Sequence, residues 1–176
     1  EAGEAQAFLC DSCDYAAHAD RVESHYKVYD DHKDEEFKEV KEYWDDTVVT
    51  CALLAEKMGV PIHVTTKTII FKADDIFVAA MVRGDFEIDE NKLKNNLGAK
   101  NIRLANEEEI FEMTGAKIGF AGPVGLPDHV KLVADFTCEG RTNFEAGGNK
   151  TGLHLYNLNY GRDLPDPEFM DIRKVE

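Results

Sequence analysis

The sequence predicts an α/β fold (α+β mixed), a curved mixed β-sheet flanked by helices. Two observations carry this. Apolar runs of strand length intermix with helical periodicities without the regular strand–helix–strand beat of an all-parallel sheet. In addition, Thr65-Thr66-Lys67-Thr68-Ile69-Ile70-Phe71-Lys72-Ala73 puts a polar run directly before a β-branched apolar run. That reads as a buried strand whose first residues sit at a rim. Lys67 is then a cation at the mouth of an apolar hollow. On this stretch alone it also reads as a solvated lysine ahead of a strand.

The elements follow in order. Phe8 to Ala17 suggest a short strand or turn and then a helix start. Residues 26–46 are acidic and aromatic, and Phe37, Val40, Lys41 and Trp44 mark one weak helical face. Residues 1–46 are therefore expected to form an appendage or connector. Asp46-Thr47 offers a helix cap, after which Val48, Cys51, Ala52, Leu54, Ala55 and Met58 recur at helical spacing. Gly59 and Pro61 stop that helix. Cys51 and Leu54, three apart, share one of its faces. Strands over 67–73 and 76–82 flank an Asp74-Asp75 turn and make a hairpin, closed by Arg83-Gly84-Asp85.

A helix over 89–97 ends at Gly98, and residues 102–105 form a short strand. Asn106 caps a helix over 107–113, with acids in its first turn, and Gly115 ends it. The loop GAKIGFAGPVGLP, residues 115–127, is too long and too rich in Gly and Pro for a mere connector. Strands over 130–136 and 153–159 bracket the glycine-rich Phe144-Glu145-Ala146-Gly147-Gly148-Asn149. The segment 161–176 is polar, holds Pro165 and Pro167, and is expected to leave the core.

At 176 residues the chain is expected to be one domain, or a domain with an appendage. It begins with Glu1 and is expected to be an excised piece or internal fragment of a longer chain. No apolar run approaches the roughly 20 residues of a membrane span. Lys+Arg 20 against Asp+Glu 35 gives a net charge of −15. Such a chain repels polyanions at long range, which argues against an autonomous nucleic-acid binder. Cys10 and Cys13 form one CxxC, and His18, His25 and His32 lie near it. Without a second CxxC the spacing falls short of a structural zinc site, so no metal is expected. Cys51 and Cys138 read as buried inert thiols, and a reducing cytoplasm suits this usage.

No GxSxG, Walker A, GxGxxG before a helix or HExxH motif is present. Paired carboxylates identify nothing in so acidic a chain. What remains is a rim lysine, a Gly/Pro loop and a strand histidine. Taken alone, His154 reads as a core or edge histidine and GPVGLP as a rigid bend. Exposed N–H groups in such bends also cradle anions and carbonyls.

Together, TTKTIIFKA, MVRGD, GPVGLP, VADF, AGGNKTGLHLYNLNYGRD and DIRKV, in this order and spacing, resemble the insertion (editing) domain of bacterial-type prolyl-tRNA synthetases. That domain is related to free-standing aminoacyl-tRNA trans-editing deacylases. The resemblance runs from about Thr47 to the end, and CDSCDYAA is similar to the stretch just upstream. It implies an aminoacyl-tRNA deacylase fold over 47–160 and a tail over 161–176 returning to the parent synthetase. Class II synthetase motifs, an ATP site and an anticodon-binding domain have no counterpart here, so ATP and Mg would belong to the parent and editing itself would need no cofactor.

The implied activity is hydrolysis of alanine from mischarged tRNA(Pro). A proline pocket discriminates against the smaller alanine by only about 1–3 kcal/mol per methylene, so a second site must supply the rest. In the resemblance Lys67 is the lysine needed for activity, read as a cation for a phosphate near the 3′ adenosine. Gly122, Pro123, Val124, Gly125, Leu126 and Pro127 match the loop beside the ester, where backbone N–H groups would polarise the carbonyl. His154 matches the histidine limiting the amino-acid pocket, and Cys51 and Leu54 fall at pocket-wall positions. Cys51 is smaller than the family's usual branched residue. Arg83, Asp85 and Asp135 match recurrent positions, with a role in holding strand ends together. No protein nucleophile stands out, so an ordered water assisted by the adenosine 2′-OH is implied. The implied partners are the acceptor end of tRNA(Pro) and the remainder of the synthetase, with no membrane. Two readings compete: a non-catalytic tRNA- or protein-docking module, and a deacylase for another small aminoacyl-tRNA such as the cysteinyl or seryl ester.

Overall fold

The structure is a computed structural model that describes residues 6–23, 25–29 and 35–175. His32 lies outside them. Near the N-terminus β1 (Ala7–Leu9) and β2 (Ala16–His18) form an antiparallel ladder of their own. The helix start expected at Ala16-Ala17 is corrected: the Cys10 N–H donates to Tyr15 O at 2.9 Å, and this turn folds the chain back before a helical turn can close. A second correction concerns β3 (Lys41–Trp44). These residues are extended, not helical. Four residues are too few to show a period, and their pairing partner lies far along the chain.

The helix α1 (Cys51–Met58) is capped by Thr50, whose hydroxyl accepts from the Leu53 N–H at 3.2 Å. The cap expected at Asp46-Thr47 is instead a local turn, because Asp45 accepts both the Thr47 N–H and its hydroxyl. Gly59 ends the helix at φ 65°. The hairpin follows as β4 (Thr66–Ala73) and β5 (Ile76–Arg83). Next come α2 (Glu90–Leu97), β6 (Ile102–Leu104) and α3 (Glu107–Thr114). Asp89 caps α2, and Asn106 with Glu109 closes a capping box on α3. The last strands are β7 (Val130–Asp135), β8 (Phe144–Gly147), β9 (Leu153–Leu158) and β10 (Glu168–Met170).

Besides the β1–β2 ladder, the described strands form two sheets. One has five strands in the order β10-β7-β5-β4-β6 and is mixed, with β5–β7 and β7–β10 parallel. The other is an antiparallel trio, β3-β9-β8. β5 is central in the larger sheet and buried on both faces, which is why IFVAAMV reads as an unbroken apolar run. Val78 and Ala80 pack on one face with Leu93 of α2, Val133 and Ile172. On the opposite face Ala79 meets Ile110 and Met113 of α3, while Met81 meets Phe144, Ala146 and Leu158 of the smaller sheet.

Contrary to the expectation drawn from its polarity, the C-terminal segment stays with the core. β10 pairs with β7, and Leu164, Met170 and Ile172 are buried. Pro165 and Pro167 mark the turn into a short edge strand, a position where the ring costs no ladder bond. Among the described residues no helix is long and apolar enough to cross a membrane.

Candidate functional site

β4 pairs with β5 along its whole length but with β6 only over Phe71–Ala73. Its first half therefore presents an open edge. Ile70 O accepts the Ala105 N–H at 3.0 Å, so by the two-residue alternation Thr66, Thr68 and Ile70 turn their N–H and C=O groups away from β5. Against this edge lies a cavity of about 490 Å³, walled by α1, α3, the 115–121 part of the loop and the smaller sheet.

Lys67, Cys51, Leu54 and His154 all line this cavity. Gly122 to Pro127 do not; Ile118, Gly119 and Ala121, just upstream, form the wall instead. Gly122 is seated against β8, where an added Cβ would lie 1.6 Å from Gly147 O. Its N–H donates to Asn149 Oδ1 at 2.7 Å, and Asn149 Nδ2 donates to Gly122 O and Val124 O at 3.0 and 2.7 Å. That N–H is thus engaged by protein, and the bend buttresses the end of the smaller sheet.

At the mouth, Lys67 Nζ donates to Phe86 O at 3.1 Å and pairs with Glu87. Glu87 is largely exposed, so solvent screens the pair and its net contribution is small. His154 is buried between Tyr43 and Phe120, with ring centroids 6.3 and 5.9 Å away. Its Nε2 lies 3.1 Å from Val48 O. A carbonyl only accepts, so that nitrogen carries a hydrogen. Its Nδ1 faces Glu145 Oε1 at 3.3 Å. Burial pushes the Glu145 carboxyl up from its ordinary range, against the pull of His154 and the Thr66 N–H.

Arg83, Asp85 and Asp135 do not line the cavity. Arg83 is buried at 2% exposure, grips Asp85 through two bonds of 2.6 and 2.9 Å, and donates to Lys27 O. Its guanidinium also lies over the Tyr29 and Phe86 rings, 4.9 and 4.8 Å from their centroids. Asp135 accepts N–H groups from Thr137, Ile172 and Arg173 and so ties the end of β7 to the C-terminal segment.

The cysteines differ in reactivity. Burial raises the Cys51 thiol, which argues against a thiolate nucleophile in the cavity, and pushes Cys138 up to about 11. Hydrogen bonds from Ser12 and Cys13 lower exposed Cys10 to about 7. Iodoacetamide at pH 8 is therefore expected to alkylate Cys10 rapidly and leave Cys138 untouched until the protein unfolds. Peptide mass mapping showing equal rates at both would contradict this. Among the described residues no three His, Cys, Asp or Glu side chains are placed to hold a metal ion.

Sequence reasoning missed Glu145, Glu87 and Thr68, all of which line the cavity. The one signal for Glu145 was a lone charge among the apolar and small residues of Phe144–Gly147.

Residues 45–164 match the family described as the aminoacyl-tRNA editing domain. The chain belongs to that family. The editing domain so matched contains all four cavity residues expected from the sequence, while β3 and β10 flank it. The chain is 39% identical over 173 residues to the proline--tRNA ligase of Caldicellulosiruptor saccharolyticus, covering 98% of this chain and 29% of that protein. With the proline--tRNA ligase of Geobacter metallireducens it shares 38% over 175 residues, or 99% and 30%. The Bacillus pumilus enzyme is 36% identical over 176 residues, 100% and 31%. The chain thus spans about three tenths of the length of these relatives. Among solved structures, a proposed trans-editing enzyme for prolyl tRNA synthetase superposes with TM-score 0.64 at 20% identity, over 77% of this chain and 87% of that one. A hypothetical protein gives 0.63 at 23%, over 77% and 92%. These likenesses show the fold, in line with the α/β class and mixed sheet expected from the sequence.

Proposed function

We propose that this editing domain hydrolyses the ester of alanine mischarged onto tRNA(Pro). The observation that carries the reading is that Lys67 and His154, distant in sequence, line one cavity with a largely apolar wall between them. Lys67 binds a phosphate near the terminal adenosine, displacing Glu87. The acyl group then enters between Cys51, Leu54 and His154, where a methyl group fits and a pyrrolidine ring meets the imidazole. Water attacks the ester, assisted by the adenosine 2′-OH, and no cofactor takes part. With a net charge of −15 the chain grips tRNA weakly by itself, and the remainder of the synthetase supplies the affinity.

Single-turnover deacylation of Ala-, Pro-, Cys- and Ser-tRNA tests this. Alanine is expected to be released fastest and proline not at all. Release from none of the four would leave a docking module, and faster release of cysteine or serine would assign the site to another small ester, a shift that the small Cys51 would favour. His154→Ala is expected to raise Pro-tRNA(Pro) hydrolysis about 10- to 100-fold, the discrimination that one lost wall contact carries. Proline ester still untouched by that variant would remove the sieve role.

A further inference from the structure

We propose that Glu145 binds the α-ammonium group of the aminoacyl ester and thereby restricts the cavity to esters with a free amine. This rests on the editing reading above and names a residue that reading did not use. Glu145 belongs to β8, whose four residues are all buried, and it lines the cavity at 5% exposure. A carboxylate there is costly unless well partnered, yet its partners are few and distant. The Thr66 N–H reaches Oε2 at 3.4 Å and His154 Nδ1 lies 3.3 Å from Oε1. Charge-assisted bonds are ordinarily about 2.7–2.9 Å, and an ionised carboxylate accepts at about four lone-pair sites. Arg141, whose charge also acts on Glu145, spends its guanidinium on the Thr66 hydroxyl and Val64 O at 2.9 and 2.8 Å. Glu145 therefore retains acceptor capacity, and it lines the cavity.

A second, independent feature points the same way. The Thr68 hydroxyl is buried, lines the same cavity and has no hydrogen-bond partner among the described residues. Glu145, Thr68 and the open β4 edge offer acceptors in an otherwise apolar hollow. An ammonium group carries three donors and a positive charge. An uncharged acyl group would leave the carboxylate as poorly partnered as before. A mischarged aminoacyl ester has that ammonium; a hydroxyacyl or peptidyl ester does not.

The test compares single-turnover hydrolysis of Ala-tRNA(Pro) and lactyl-tRNA(Pro), each rate divided by that ester's own hydrolysis in buffer. Lactate matches alanine in size and replaces the ammonium by a hydroxyl. The wild-type protein is expected to prefer the alanyl ester about 10- to 100-fold, the range of one charge-assisted hydrogen bond. Glu145→Gln, isosteric and neutral, is expected to lose most of this preference by slowing the alanyl ester while leaving the lactyl ester unchanged. Equal wild-type rates, or a preference that survives in Glu145→Gln, would overturn the proposal. The wild-type comparison decides it even if the variant does not fold. Hydrolysis of alanyl ester without preference sinks only the Glu145 role, whereas hydrolysis of neither ester sinks the editing reading with it.

Discussion

Lys67→Ala is expected to lower single-turnover deacylation of Ala-tRNA(Pro) by about a hundredfold or more, with the melting temperature unchanged. The fall in rate follows from losing a charge-assisted contact to the terminal phosphate, about 1.5–3 kcal/mol, compounded by loss of register for the ester. The fold should not notice. Among the described residues Lys67 is anchored only by the Phe86 carbonyl and a largely exposed Glu87, and such a pair is worth at most about 1 kcal/mol. Its strand is held by the full β4–β5 ladder, which does not involve the side chain. Full activity in this variant would remove Lys67 from the site. Loss of activity together with a lower melting temperature would make it a structural residue.

Asp135→Ala is expected to cost about 3 kcal/mol of stability or more, lowering the midpoint of thermal unfolding by roughly 6–12 °C. Asp135 is 0% exposed and lies at the end of β7. Its Oδ1 accepts the Thr137 N–H at 2.9 Å, and Oδ2 accepts those of Ile172 and Arg173 at 2.9 and 3.0 Å. The Arg173 guanidinium lies 3.6 Å from the same oxygen. Alanine would strand three buried N–H donors and weaken the counter-charge of a buried arginine. The C-terminal segment would be released first, since two of those donors belong to it. Asp135→Asn keeps an acceptor and should fall between the two. Denaturant unfolding measures both, and a loss under about 0.5 kcal/mol for the alanine variant would contradict the role assigned here.

The β4–β5 hairpin was readable because a central strand buried on both faces writes an unbroken apolar run into the chain. Helix ends were readable where side chain and backbone cooperate: Asp89, the Asn106–Glu109 box, and the glycines at 59, 98 and 115 in left-handed geometry. The strands β3 and β10 were not. Each is three or four residues long and exists only because a distant strand accepts it. Thr50 displaced Asp46-Thr47 as the first cap because a nearby carboxylate, Asp45, captured Thr47. Lys67 and His154 emerged as a pair from the resemblance rather than from spacing, since residues on β4 and β9 share no local pattern. The seating of Gly122 on Gly147 and the Lys67–Glu87 pair are contacts between segments, invisible in either alone. Glu145 was hidden differently: in a chain with 35 acids, one more carboxylate carries no signal until its burial is known.

The most direct test of the whole account is a crystal structure of the protein with a 3′-alanylamino-adenosine 5′-phosphate, whose amide link resists hydrolysis. The phosphate is expected within about 3 Å of Lys67 Nζ, with Glu87 swung aside and the alanyl methyl group against Cys51, Leu54 and His154. Density placing the analogue outside this cavity, or with its alanyl end turned toward solvent and Lys67 still on Glu87, would contradict the account.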